Sequence, residues 1–158
     1  MTLAETLLDA ARKAGVMIAT AESCTGGMVS AAITDIAGSS TVFDRGFVTY
    51  TNAAKIAMLG VSPDTLAKFG AVSEQVAHEM AEGTITHSNA QIAVSVTGIA
   101  GPGGSEHKPE GRVCFGIATR KDTQTETIEF GAIGRANVRI AARDHALQLL
   151  IAALEQCN

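Results

Sequence analysis

The stretch "VMIATAESCTGGMVSAAITDI", Val16 to Ile36, changes its pattern halfway along. "VMIAT" is a short apolar run of the kind that forms a buried strand. "GGMVSAAITDI" predicts a helix of small residues from about Thr25 to Ile36. Strand, turn and helix in that order are the building unit of an α/β fold. The turn itself, "TAESCTGG", Thr20 to Gly27, crowds a carboxylate, hydroxyls, a thiol and two glycines together.

The same alternation extends outward on both sides. Upstream, Leu3, Leu7, Leu8 and Ala11 recur at helical spacing, and Gly15 ends that helix. Downstream, "RGFVTYT" predicts a strand that Tyr50 closes, and "NAAKIAMLG" a short helix capped by Thr51 or Asn52. Ser62 followed by Pro63 is a helix start signature, and Ser73 opens another helix. "QIAVSVTG" predicts a strand, and "IAGPGGSEHKPEG" a glycine-rich loop. "GRVCFGIATR" and "QTETIEFGA" form a predicted hairpin around Lys121 and Asp122. Arg135 to Leu154 predicts a long terminal helix. The expected architecture is one α/β domain over residues 1–158, a three-layer arrangement with a mixed sheet and helices on both faces.

Composition fits that expectation. The 158 residues bury a core without staples, and the core is aliphatic because aromatics make up only 4% and Trp is absent. A net charge of −4 argues against a general nucleic-acid surface. The three cysteines, Cys24, Cys114 and Cys157, are far apart and suit reduced thiols in a cytoplasmic protein. No apolar run is long enough to span a bilayer, and the N-terminal segment is an amphipathic helix rather than a signal peptide. The small-residue helices leave room for packing against a second subunit, so a homo-oligomer, dimer or higher, is expected.

Four constellations carry chemistry. The first is the opening turn. Helix N-terminal amides favour an anion, and Gly26 and Gly27 let a ligand approach the backbone, with the Ser23 and Thr25 hydroxyls alongside. An ordinary turn capped by Thr25 would show the same residues. The second is "AGSSTVFDRGFVTYTNAAK", Ala37 to Lys55. Ser40 is a nucleophile once a base takes its proton, and Lys55, a lone charge in an apolar helix, becomes a base if burial lowers its pKa. A surface lysine and a packed Tyr50 would read alike. The third is "SVTGIAGPGG", where Thr97 and Gly98 end a strand and a loop offers backbone amides to an oxyanion or simply connects. The fourth is Arg135 at the start of the last helix, an unfavourable place for a cation unless an anion lies near. Arg139 and Arg143 share its face and suit a solvated surface. The histidines at 78, 87, 107 and 145 have no metal-ligand spacing, so neither metal nor cofactor is expected.

Together, "TAESCTGG", "DIAGSS", "RGFVTYTNAAK", "LGVS", "FGAVSEQVAHEMAEG", "SVTGIAGPGG" and "KPEGRV" resemble the CinA C-terminal family, the nicotinamide mononucleotide amidases. The resemblance spans nearly the whole chain. It implies hydrolysis of the carboxamide of nicotinamide mononucleotide to nicotinic acid mononucleotide and ammonia, a step of pyridine nucleotide recycling. Larger members carry a further N-terminal domain; this chain starts at the amidase segment, so that activity alone is implied. The resemblance also implies a serine nucleophile with a lysine base. Ser40 and Ser23 both remain open. Ser40 is favoured because it shares a segment with Lys55, and Tyr50 is expected to orient the lysine or assist proton transfer. Ser23, Thr25, Gly26, Gly27, Thr97, Gly98 and Arg135 are then expected around the substrate, with Arg135 and the cradle sharing its phosphate. A non-catalytic nucleotide-binding module and an amidase with another substrate are the competing expectations.

Overall fold

The computed structural model describes residues 1–156. The elements run α1 (Leu3–Ala14), β1 (Ile18–Glu22), α2 (Met28–Thr34), a single 3-10 turn (Ser39–Thr41), β2 (Phe43–Val48), α3 (Asn52–Leu59), α4 (Pro63–Phe69) and α5 (Glu74–Thr86). They continue with β3 (Ile92–Gly98), β4 (Arg112–Thr119), β5 (Thr123–Glu129) and α6 (Arg135–Gln156). The sheet order is β2-β1-β3-β4-β5. β1 lies parallel to both β2 and β3, and β4 is antiparallel to β3 and β5, so the sheet is mixed as expected.

Capping chemistry sets most helix ends. Thr2, Thr51, Ser62 and Ser73 each accept a first-turn amide with their hydroxyls. Gly15 and Gly60 close α1 and α3 in the left-handed conformation. Boundaries around the first two strands differ from expectation. The first strand runs on through Glu22, and α2 begins at Met28 instead of Thr25. Tyr50 does not close a strand: β2 ends at Val48, because the Thr49 and Tyr50 carbonyls turn to the Lys55 ammonium.

The alternation of side chains along each strand divides the core in two. Ile18, Val94, Val96 and Phe115 face α1, α2 and α6, where Leu7, Val29, Val138, Leu147 and Leu150 complete the larger cluster. Ala21 faces a smaller cluster made by Leu59, Val61, Leu66, Val76 and Met80 of the α3–α5 side. Ser23, one residue beyond β1, follows the phase of Ala21. Glu22 follows that of Ile18. Adjacent residues are thus sent to opposite faces of the sheet, which decides what each can do. Cys24 and Cys114 are free and buried, whereas Cys157 lies outside the described residues. No helix of the described residues is long and apolar enough to cross a membrane.

Candidate active site

Parallel strands deliver the segments that follow them to one end of the sheet. Ser23 follows β1, Tyr50 and Lys55 follow β2, and Thr97 and Gly98 end β3. These residues, with Arg135 from the start of α6, line one cavity of about 190 Å³. A roomier groove of about 470 Å³ lies beside Lys108 and Arg112. Both cations there are already engaged: Lys108 holds the Phe69 and Val72 carbonyls, and Arg112 pairs with Glu129.

Lys55 is the centre of the smaller cavity. It is only 1% exposed, because α3 turns this lysine and Leu59 inward while Ile56 and Met58 stay exposed. Its ammonium donates to the Thr49 carbonyl at 2.8 Å, to the Tyr50 carbonyl at 3.3 Å and to Ser23 Oγ at 3.0 Å. Burial removes the water that would solvate the charge, and the pKa falls from 10.5 to about 8; Cys24 offsets this in part. The Ser23 hydroxyl also lies 3.4 Å from the Tyr50 carbonyl. Cys24, next in sequence, is no rival nucleophile. Burial pushes its thiol up to about 12, so the reactive thiolate is scarce at neutral pH.

Ser40 is not part of this arrangement, which corrects the expected Ser40–Lys55 pairing. It sits exposed in the 3-10 turn before β2, whereas Thr49, Tyr50 and Lys55 come after β2. A six-residue strand lies between, roughly 20 Å at about 3.3 Å per residue. Proximity in sequence became separation in space. The hydroxyl that Lys55 reaches within the chain belongs to Ser23, 32 positions away.

The expected anion cradle needs a second correction. Its amides are already used. The Glu22 carboxylate, fully buried, accepts from the backbone N–H of Gly27, Val29 and Ser30 and from the Ser30 hydroxyl. Thr25, Gly26 and Gly27 accordingly lie off the cavity lining, with the Thr25 hydroxyl buried and unpartnered among the described residues. The two glycines serve the turn itself, with φ of 56° and 108°.

The remaining residues define the walls. Thr97 donates its hydroxyl to the Ala71 carbonyl at 2.9 Å and so ties β3 to the α4–α5 connection. Gly98 is required by space: a Cβ there would approach Val113 Cγ2 to 2.7 Å and Cys24 Sγ to 3.1 Å. Arg135 donates to the Gly101 carbonyl at 2.7 Å and to the Tyr50 hydroxyl at 3.1 Å, forming the rim. Glu22 escaped sequence reasoning, and Arg139, expected on a solvated surface, is half-buried instead, because its guanidinium donates to the Cys24 and Thr25 carbonyls. The signal for Glu22 was present, an acid ending a buried strand just ahead of a helix start. Arg139 left none. No three His, Cys, Asp or Glu side chains among the described residues cluster to hold a metal ion.

Known proteins resemble this chain over most of its length. A protein of Escherichia coli strain K12 named nicotinamide-nucleotide amidohydrolase PncC is 51% identical over 151 residues, covering 95% of this chain and 92% of that protein. One of the same name from Enterobacter agglomerans is 56% identical over 144 residues, covering 89% and 87%. The crystal structure of competence/damage inducible protein CihA from Agrobacterium tumefaciens superposes with a TM-score of 0.92 at 50% identity, over 97% of this chain and 93% of that one. Residues 1–154 match the family model of the CinA C-terminal domain, and the chain belongs to that family.

Proposed function

We propose that the chain is an amidohydrolase that converts nicotinamide mononucleotide to nicotinic acid mononucleotide and ammonia, with Ser23 as nucleophile and Lys55 as its base. The observation that carries the mechanism is the buried amine 3.0 Å from a serine hydroxyl. In the ammonium form all three N–H bonds are spoken for, by Thr49 O, Tyr50 O and Ser23 Oγ. Loss of one proton leaves two N–H bonds for the two carbonyls. The lone pair then faces the serine hydroxyl, as a general base requires.

Ser23 Oγ attacks the carboxamide carbon as its proton passes to Lys55. The C–N bond breaks when the new ammonium returns that proton to the departing nitrogen, and ammonia leaves. Water then attacks the acyl-serine ester. Lys55 takes the water proton and hands it back to Ser23 Oγ as the carboxylic acid departs.

The cavity is smaller than the roughly 300–1,000 Å³ of sites that enclose a whole drug-sized ligand. It suits the aromatic carboxamide, with the ribose phosphate carried over the rim. Arg135 is the cation there, and the α2 amides are unavailable because Glu22 holds them. The 5′-phosphate is therefore assigned to Arg135 alone rather than to a shared cradle. The names carried by the Escherichia and Enterobacter relatives support the substrate.

The test is ammonia release from nicotinamide mononucleotide by the wild type, Ser23→Ala, Ser40→Ala and Lys55→Met. Ser23→Ala and Lys55→Met are expected to lose nearly all kcat while Ser40→Ala keeps it. No ammonia from the wild type would remove the activity. A dead Ser40→Ala beside an active Ser23→Ala would reverse the nucleophile.

A further inference from the structure

We infer that Glu22 and Arg139 are positioning residues that hold the Ser23 turn from the opposite face of the sheet, an inference that rests on the Ser23–Lys55 reading above. Neither side chain lines the cavity. Both act on the short turn that presents the nucleophile.

The turn is bracketed by opposite charges. Its trailing amides point at Glu22: Gly27 N at 3.3 Å, Val29 N at 2.9 Å and Ser30 N at 3.0 Å. Its carbonyls point at Arg139, whose guanidinium donates to Cys24 O at 3.0 Å and to Thr25 O at 3.4 Å. Glu22 is the residue before Ser23, so the bond from Gly27 closes a ring through the turn and back to Glu22. The backbone of the same residue is fixed on both sides. The Glu22 carbonyl accepts from Thr49 N, and Ser23 N donates to the Val96 carbonyl, each at 2.9 Å. The Ser23 main chain is thus stitched to the ends of both neighbouring strands, and the loop that follows is held by carboxylate and guanidinium.

Helix capping alone does not call for this. A serine, threonine or aspartate caps a helix with one or two bonds and little burial. Here a glutamate with no exposure accepts four, and Ser30 Oγ extends the network to the Thr20 hydroxyl at 2.7 Å. Gly46 of β2 lies so close that a Cβ there would overlap these hydroxyls. An internal anion now sits where a helix N-terminus would take one from solution, so these contacts of the turn need no anion from outside the chain. A reacting pair misplaced by about 1 Å loses on the order of 10²-fold in rate, so such rigidity has a catalytic consequence.

The experiment uses the whole chain, with Glu22→Gln, Arg139→Met and Ser23→Ala assayed for ammonia release across pH beside circular dichroism and thermal unfolding. Glutamine keeps the shape but turns an NH₂ against an N–H donor. Glu22→Gln and Arg139→Met are expected to lower kcat by on the order of 10²-fold, leave KM within about threefold, and keep the wild-type inflection of the pH profile. That pattern describes a displaced nucleophile beside an intact base. If Glu22→Gln does not fold, Arg139→Met carries the test, since it leaves the buried network untouched. Folded variants with kcat within about threefold of wild type would overturn the inference while an inactive Ser23→Ala kept the mechanism. Loss of activity only in step with loss of folded protein would also overturn it. An active Ser23→Ala would remove the mechanism, and this inference with it.

Discussion

The pKa of Lys55 makes two measurable quantities depend on pH, and they have one cause. A lysine at its usual 10.5 is neutral in only about three molecules per 10⁴ at pH 7. With burial holding it at about 8, roughly one molecule in ten carries the free amine. The serine–lysine mechanism needs that free amine. The plot of kcat/KM against pH, which reports the free enzyme, should rise about tenfold between pH 7 and pH 9 and then level off. Cys24 does not confuse the assignment, since its thiol titrates far higher, near 12.

The same displacement bears on stability. Below pH 8 both the folded and the unfolded chain hold the Lys55 proton, and the folded chain bears the whole cost of the buried charge. Between about 8 and 10.5 the folded chain has released its proton while the unfolded chain still holds it, so the unfolded state binds more protons and stability rises with pH. The displacement is worth about 3 kcal/mol in total, near 1.4 kcal/mol per pH unit within that window. Lys55→Met lacks the group, so the stability difference between wild type and variant should shift by that amount in favour of the wild type as pH is raised. Urea melts at pH 7, 8, 9 and 10 measure it. Parallel stability curves for the two proteins, or a wild-type rate profile that stays flat from pH 6 to 9, would refute the reasoning.

Arg135 offers a sharp substrate comparison. If it holds the 5′-phosphate, Arg135→Met should lower kcat/KM for nicotinamide mononucleotide by 1.5–3 kcal/mol, or about 10–150-fold, and change it little for the riboside without phosphate; equal losses for both substrates would return Arg135 to a rim support for Tyr50. Gly83 tests the packing of the α3–α5 side. A Cβ on Gly83 of α5 would overlap the Leu59 carbonyl oxygen, so Gly83→Ala should cost about 1–3 kcal/mol despite the better helix propensity of alanine. Thermal unfolding should show it as a drop of about 2–4 °C per kcal/mol, and an unchanged or raised Tm would contradict the packing.

Much of the fold is legible in the sequence because it is written locally. Hydroxyls at Thr51, Ser62 and Ser73 mark helix starts by chemistry that needs no knowledge of the rest of the chain. The Lys121–Asp122 hairpin likewise announces itself, and β4 and β5 pair across it. Where β2 ends was not legible. The Thr49 and Tyr50 carbonyls leave the strand for an ammonium five or six residues later, and that attraction depends on how α3 is buried.

The expected Ser40–Lys55 pairing fails for a reason that topology makes plain. Distance along the chain favours Ser40, which is 15 positions before Lys55. A parallel sheet reverses that judgement. Residues just before a strand and just after it stand at opposite ends of the sheet, whereas residues that follow different parallel strands share an end. Once β1, β2 and β3 are parallel, Ser23, Lys55 and Thr97 must gather, and Ser40 must be left behind. The strand alternation then separates the work of two neighbours. Ser23 faces the cavity with Lys55, and Glu22 faces α2 with its carboxylate against three backbone amides. The glycines and small polar residues of "TAESCTGG" look from sequence like a place for a ligand's anion, because the physics of a helix N-terminus does not distinguish an anion from solution from one supplied by the chain itself. Glu22 supplies it. On the proposed function the phosphate is then met elsewhere, and Arg135 is the cation that the cavity rim presents.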